Sequence, residues 1–379
     1  MTLLLLACAT SFLLTFWALR TRRLGFWRAH DTDLSGPQKF HEQPVPRIGG
    51  LGIVGGIAAG AVLLAWQQPE VGRMAALLLL CALPAFVAGL AEDLTKNVSP
   101  ARRLLFTAIS AALGVWLLGA VITYTAIPGV DWLVAFPLGA ALVTIVAVTG
   151  VANAVNIIDG FNGLASMCGV LMLACLGYVG FQVDDALVVM LAVAGVGAVL
   201  GFFVWNFPLG LIFLGDGGAY FLGFYVAEVA ILLVARNAEV SPLFPLLVCI
   251  YPIFETLFSI YRKKFLRKMS PGVPDGVHLH MLVYKRIMRW AVGRNGRRRS
   301  LRMRNSMTSP YLWVMCMLAG VPAVLFWDNT AVLAVFLALF GLTYVGLYWR
   351  IVRFRTPRFL VVSRWRDSSV RETPPTSVG

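Results

Sequence analysis

The sequence predicts an all-α protein, a polytopic transmembrane helical bundle of about eleven spans with its N-terminus outside and its C-terminus in the cytosol. Three observations carry this. The chain is 59% hydrophobic and only 13% charged, about half the charge of a soluble domain. Apolar runs of roughly 20 residues, the length that crosses a bilayer, recur along it. Of its 32 Lys and Arg residues, all but Arg73 and Arg236 fall in alternate connections between those runs, an asymmetry that sets orientation.

The runs are 2–19, 48–66, 73–91, 104–123, 132–151, 164–182, 186–205, 217–235, 242–261, 309–327 and 331–349. They are too long and continuous for barrel strands, which would alternate. The first, TLLLLACATSFLLTFWAL, has no basic start and is followed by RTRR. That is the reverse of a cleaved signal peptide, so it is predicted to be retained as a span. The basic residues number six in 20–47, three in 92–103, fourteen in 262–308 and seven in 350–379, which places these segments in the cytosol. A single transmembrane domain over 1–350 is expected. Its cytosolic loops are 20–47, 92–103, 152–163, 206–217 and 262–308, and 351–379 forms a basic, flexible cytosolic tail. Topology accounts for the net charge of +14 and for the RNGRRR run at 294–299. The partner these imply is the lipid bilayer and not nucleic acid. The stretch 281–308 is expected as a surface loop, amphipathic and lying on anionic lipid.

Six cysteines (Cys8, Cys81, Cys168, Cys175, Cys249, Cys316) lie within or beside apolar runs without a CxxC pair. They read as buried small hydrophobes rather than metal or disulfide groups. The eighteen acids divide by place. Glu70, Asp131, Asp184, Asp185, Glu239 and Asp328 fall in outer loops and read as solvated turn residues. Glu228 and Glu255 lie inside spans, where an ionisable group points to function or to a partner on a neighbouring helix. Asp367 and Glu372 lie in the polar tail, and the others gather on the cytosolic side: Asp31, Asp33 and Glu42 in the first loop, and Glu92, Asp93, Asp159, Asp216 and Asp275 in four short segments, AEDLTK (91–96), NAVNIIDGFNG (153–163), FLGDGGAY (213–220) and DGVHLH (275–280).

NAVNIIDGFNG ends an uncharged run of some twenty residues, and its Asn153, Asn156, Asp159 and Asn162 recur every third position. On a helix such neighbours share one broad face. This is either an amide-rich helix end stopped by Gly160 and Gly163 or a site. Segments 152–163 and 206–216 contain no Lys or Arg and carry Asn206 and Asp216 as well. An anionic, amide-rich floor ringed by basic loops suits a hard divalent cation, Mg²⁺ or Mn²⁺, bound with a phosphate. Glycines beside Asp216 would let backbone approach a pyrophosphate. Zinc is disfavoured, since HLH with carboxylates and no Cys is a weak pattern for it.

These motifs resemble those of the polyprenyl-phosphate N-acetylhexosamine-1-phosphate transferases. NAVNIIDGFNGLA is similar to their NxxNxxDGxDGL, FLGDGG to FMGDxGS, GLAEDLTK to GxxDDxxK, and DGVHLH to their histidine loop. The first loop, DLSGPQKFHEQPVPRIGG, matches their DxPNxRKxHxxPxPxxGG at Asp33, Lys39, His41, Pro44, Pro46, Gly49 and Gly50. The matches run in family order from 33 to 280. The resemblance implies an integral enzyme of the bacterial cytoplasmic membrane with its active site facing the cytosol. In it, undecaprenyl phosphate attacks the β-phosphate of a UDP-activated amino sugar, UMP leaves, and a lipid-linked surface glycan begins. Asp216 would be a metal ligand, and Asp93 a second ligand or a base. Glu92, Asp159, His278 and His280 would join in catalysis. Lys39, His41, Lys96, Asn153, Asn156, Asn162 and Asn206 would bind substrate. The family also implies homodimers.

Three positions depart from the pattern: Glu92 for Asp, Asn162 for the second Asp of DGxDG, and Gly218-Ala219 for VGS or AGS. PRIGG and HxH are closer to enzymes that start O-antigen or common antigen than to the muramoyl-pentapeptide branch, whose donor is the alternative. The donor sugar is open among GlcNAc, QuiNAc, FucNAc and GalNAc. Two rival readings stand beside this one. A transporter would use Glu228 and Glu255, although no inverted repeat is visible. A non-catalytic scaffold would account for the changes at Glu92 and Asn162.

Overall fold

The computed structural model describes residues 1–21, 45–270, 276–288 and 298–353. These residues are helical almost throughout, as the apolar runs require: without water to pair backbone N–H and C=O, a span must satisfy them internally. Among the described residues, ten helices are long and apolar enough to cross a membrane, where about eleven were expected. In chain order the elements are α1 (Thr2–Thr21), α2 (Gly50–Gln67), α3 (Pro69–Thr95), α4 (Pro100–Leu113, continued by a π-turn to Leu118), α5 (Val130–Val134), α6 (Pro137–Ile158) and α7 (Leu164–Gln182). There follow α8 (Ala186–Asn206), α9 (Gly215–Arg236), α10 (Leu243–Val248), α11 (Ile250–Tyr261), α12 (Leu279–Leu282, continued by a π-turn to Met288), α13 (Arg298–Leu325) and α14 (Thr330–Val352).

The bundle is built around α9. Every residue from Gly215 to Leu233 is buried, as expected of a helix apolar on all sides. It packs on α3 and α6 and also touches α2, α4, α7 and α8, while α1 closes over α2 and α8. Glycines bring the backbones together. A Cβ on Gly217 would lie 2.9 Å from the nitrogen of Leu90, and one on Gly89 would lie 2.6 Å from Gly217 Cα. A Cβ on Gly50 would lie 2.5 Å from Gly218 Cα. The glycines beside Asp216, expected to admit a pyrophosphate, thus admit α2 and α3 instead.

Exposed indoles mark the ends of helices away from Asp93 and Asp216. Trp66, Trp116 and Trp132 are 83%, 78% and 72% exposed, in the positions an interfacial aromatic belt takes.

Three segments differ from expectation. The run 242–261 is broken into α10 and α11 at Cys249, because Pro252 has no N–H to donate to Val248 and so must stand in a first turn. The acidic and amide motifs lie mostly on helix ends rather than loops. Glu92 and Asp93 belong to α3, Asn153 and Asn156 to α6, and Asp216 to the first turn of α9. Within 281–308, Met281, Leu282, Val283, Tyr284, Ile287 and Met288 are buried and α13 already begins at Arg298, so the described parts are not a surface loop. Residues 354–379 lie outside the described residues.

Two acids expected in outer loops as solvated turn residues are instead built in. Asp185 is buried, caps α8 by accepting from Leu187 and Val188, and pairs with Arg236 at 2.7 Å and with Asn237 at 3.0 Å. Burial opposes its charge, but these bonds win and hold its carboxyl below the usual range. Asp131 accepts from Thr125 N and Oγ1 at 2.7 Å. The cysteines are free thiols in or beside the core, and those of Cys168 and Cys316 meet between α7 and α13.

Gly217→Val would force α3 and α9 apart and is expected to cost about 3 kcal/mol or more. Thermal unfolding in detergent checks this, with Gly346→Ala, whose Cβ meets nothing within 4 Å, as the silent control.

Candidate active site

One end of the bundle gathers the acids. Residues 46–50 and 213–214 pair through their backbones: Phe213 N donates to Pro46 O at 2.9 Å, Gly49 N to Phe213 O at 3.0 Å, and Gly50 N to Leu214 O at 3.1 Å. This seam brings Arg47 over the start of α9. At its edge Gly215 adopts φ +78, where a Cβ would meet Arg47 O at 2.1 Å and Asp93 Oδ2 at 2.6 Å, so only glycine fits.

Asp93 and Asp216 then share one guanidinium. Arg47 Nε lies 3.3 Å from Asp93 Oδ1 and Arg47 Nη2 lies 3.0 Å from Asp216 Oδ1. Asp93 is 1% exposed, and its Oδ2 accepts the Gly217 N–H at 2.9 Å. Asp216 also pairs with Arg103 and accepts from Asn156 Nδ2 at 3.3 Å. Tyr220, one turn along α9, donates to Asn153 Oδ1 at 3.3 Å, and its ring faces the Arg103 guanidinium at 5.9 Å. Asp159 caps α6 and lies within electrostatic reach of Arg47 and Asp93. Crowding by protein pushes its carboxyl up to about 7, with Arg47 pulling the other way.

The next turn carries the histidines inward. Phe161 packs edge-on against His280, whose Nε2 lies 3.6 Å from where a Cβ on Gly160 would stand. His278 and His280 are both buried.

The structure therefore brings Asp93, Asp216, Asn156 and Asn153 together, with Asp159 alongside and His280 behind its turn. Lys96, in the left-handed conformation at φ 60, ends α3 within electrostatic reach of Asp93. Three predicted residues are turned elsewhere. Glu92 Oε2 accepts the Val98 N–H at 2.7 Å and closes the α3–α4 turn. Asn206 accepts from Gly163 N at 2.6 Å and donates to Ile212 O at 2.8 Å. Asn162 Nδ2 donates to Pro208 O and Ser306 Oγ, and its backbone N–H donates to Asn305 Oδ1 at 2.9 Å. These two asparagines fasten loops to each other and to α13. Lys39 and His41 lie outside the described residues. Glu228 is fully buried against Gly114, twelve residues along α9 from Asp216 and so about 18 Å distant along the axis.

Arg47 and Arg103 were not singled out by sequence. A signal existed for Arg103: an arginine in the first turn of a helix opposes the helix dipole and so needs another reason to be there. Arg47 stood within a motif matched for its prolines and glycines. The two carboxylates, hard oxygen donors, fit Mg²⁺ or Mn²⁺. Two guanidinium groups now offset the charge that such a cation would neutralise.

Two outcomes follow. Asn206→Ala leaves a buried N–H and carbonyl without partners and is expected to destabilise by about 2 kcal/mol. Asn156→Ala should leave the melting temperature unchanged under the same thermal scan. Asp159 takes up its proton in the folded state between its ordinary value near 3.8 and about 7. Stability should therefore fall as pH rises through that window, and Asp159→Asn should flatten that part of the pH–melting curve.

A model of Glycosyl transferase family 4 matches residues 75–234. A probable undecaprenyl-phosphate N-acetylglucosaminyl 1-phosphate transferase of Bacillus subtilis is 30% identical over 250 residues, 64% of this chain and 66% of the relative. The chain thus spans just under two thirds of that protein. A decaprenyl-phosphate N-acetylglucosaminephosphotransferase of Mycolicibacterium smegmatis is 30% identical over 320 residues, 76% of this chain and 74% of its own. A phospho-N-acetylmuramoyl-pentapeptide-transferase of Geobacillus kaustophilus is 29% identical over 248 residues, 60% of this chain and 75% of its own.

Proposed function

The chain belongs to glycosyl transferase family 4, and on that premise we propose that it transfers an N-acetylhexosamine-1-phosphate, with N-acetylglucosamine the first choice of sugar, from a UDP-sugar to undecaprenyl phosphate. The observation that carries the reading is the acid pair Asp93 and Asp216 crossed by Arg47 and Arg103 at one end of a multi-pass membrane bundle. Carboxylates that gather a hard cation and arginines that match phosphate oxygens are the groups a diphosphate transfer requires.

A groove of about 1050 Å³ supports the lipid half of the reaction. It is lined by Leu104, Val146, Ala227, Ile231 and Leu257 along its length, and Asn153 stands at its site end. Asn153 connects through Tyr220 and Arg103 to Asp216. A polyprenyl tail in this groove presents its phosphate to the arginines. Relatives named for GlcNAc-1-phosphate transfer support the choice of sugar over the muramoyl-pentapeptide alternative. The excess of basic residues in alternate connections supports an active end facing the cytosol.

A phosphate monoester has a second pKa near 6, so the lipid phosphate arrives largely ionised and needs no strong base. Its oxygen forms the new bond to the β-phosphorus while the bond to the UMP oxygen breaks, and UMP leaves as the anion. Asp93, committed to Gly217 N–H and Arg47, is an anchor and ligand rather than a proton acceptor. Asp216 and Asp93 would hold Mg²⁺, which would neutralise charge on the diphosphate, while the Asn156 amide N–H orients Asp216. Arg47 and Arg103 then grip phosphate oxygens in place of carboxylates. The departures Glu92 and Asn162 fall on residues turned away from the acid pair, which favours an active enzyme over a scaffold.

Release of UMP from UDP-N-acetylglucosamine and undecaprenyl phosphate by the purified protein, abolished by EDTA and restored by Mg²⁺, tests this. Asp216→Asn should lower turnover by about 10³-fold or more, with the folded protein intact by size exclusion. Undiminished UMP release in Asp216→Asn would refute the reading.

A further inference from the structure

From Thr256 to Pro274 the chain holds five basic residues, Arg262, Lys263, Lys264, Arg267 and Lys268, and no acid. This stretch begins on α11, whose Thr256, Leu257 and Ile260 line the groove beside α6 and α9. Leu104, the neighbour of Arg103, lines the same groove from α4. The basic run and an arginine of the acid site thus adjoin one groove from two different helices. Their shared end is fixed by hydrogen bonding and packing. Glu255 Oε1 accepts the Leu279 N–H at 2.7 Å, and His280, next to Leu279, lies against Gly160 in the turn that holds Asp159.

A π-turn, Arg262–Leu266, continues α11. Arg267 N and Met269 N then donate back to Arg262 O at 3.0 Å and Lys263 O at 2.9 Å. Two of the basic residues are built into the protein. Arg262 and Lys263 are buried, and Arg262 donates to Ser259 Oγ at 3.2 Å and stands 5.6 Å from the Tyr348 ring of α14. Lys264 and Lys268 face outward and pair with no carboxylate among the described residues. Lys264 Nζ lies 5.7 Å from the Phe265 ring. Around the two lysines Tyr261, Phe265, Leu266 and Met269 are exposed too. Exposed apolar side chains interleaved with lysines, just beyond an apolar helix, suit the headgroup level of a bilayer. There the carbon chains reach the acyl boundary and the ammonium groups meet lipid phosphates.

We propose that Lys264 and Lys268 form a capture site for the phosphate of the lipid carrier at the α11 side of the groove, from which the carrier passes on to Arg47 and Arg103. This rests on the transferase reading. The carrier, rather than a bulk phospholipid, is the occupant because the lysines follow directly on Leu257 and Ile260. One molecule then has its tail against those two groove residues and its phosphate at the lysines. The lysines raise the frequency of capture and do not touch the reacting phosphorus.

The test is UMP release by the full chain in phosphatidylcholine nanodiscs, varying the surface fraction of undecaprenyl phosphate. Lys264→Gln/Lys268→Gln should lower kcat/KM for the carrier about 10-fold. Its kcat at saturating carrier and its KM for UDP-N-acetylglucosamine should stay within about twofold of wild type. Lys264→Arg/Lys268→Arg keeps both charges and should restore capture. Added salt should depress kcat/KM for the carrier more in the wild type than in the double Gln variant, because the exposed charges it screens are then present. Binding is read apart from turnover by native mass spectrometry, with undecaprenyl phosphate and phosphatidylglycerol supplied together. The double Gln variant should lose bound carrier more than bound phospholipid. Wild-type kinetics in that variant, equal losses toward both substrates, or loss of phosphatidylglycerol with the carrier retained would overturn the proposal. A wild type that binds carrier but releases no UMP would sink the transferase reading alone, and the mass spectra would still decide whether the lysines hold a prenyl phosphate.

Discussion

Asp93 and Asp216 stand on different helices, and what holds them within reach of one guanidinium is a contact between two backbones. Gly89 and Gly217 let α3 and α9 approach with no side chain between them, and Gly50 and Gly218 do the same for α2 and α9. Inside a bilayer there is no hydrophobic force to press helices together, so close packing of small residues takes its place. The site is a by-product of that packing. Where α3 and α9 touch, the Gly217 N–H finds Asp93, and where the 46–50 segment joins the start of α9, Arg47 finds both acids.

The amides of NAVNIIDGFNG divide between two tasks. Asn153 and Asn156, still on α6, face the acid end. Asn162 lies beyond the helix stop and is drawn into the backbone of 206–212 and the side chains of α13. Asn206, expected beside it as a substrate ligand, supplies the other half of that fastening. A regular three-residue spacing implied one shared face, but the helix ends at Ile158, and beyond that point periodicity no longer says where a side chain is.

Much of the architecture was legible because apolar length and loop charge are coarse, additive properties. The motif carboxylates were legible as well, since few acids exist and Asp93 and Asp216 lie at the same end. What could not be read was contact between distant segments. The pairing of 46–50 with 213–214, which places Arg47, has no local signature. The commitment of Glu92 to Val98 depends on which way one turn of α3 faces. The break at Cys249 has only Pro252, one residue in a run of twenty that is otherwise apolar, as its local signature.

The groove beside α6, α9 and α11 is lined by Leu104, Val146 and Leu257, helix residues that are themselves exposed, so it reaches the flank of the bundle that faces lipid. In the proposed reaction the lipid carrier reaches that groove from the plane of the bilayer. Encounter is then a search in two dimensions, and what governs its frequency is the number of carrier molecules per unit of membrane area rather than per volume of cell. Diluting the carrier with other lipids slows such an enzyme even when total amounts are unchanged, so the composition of the surrounding membrane becomes part of its rate law.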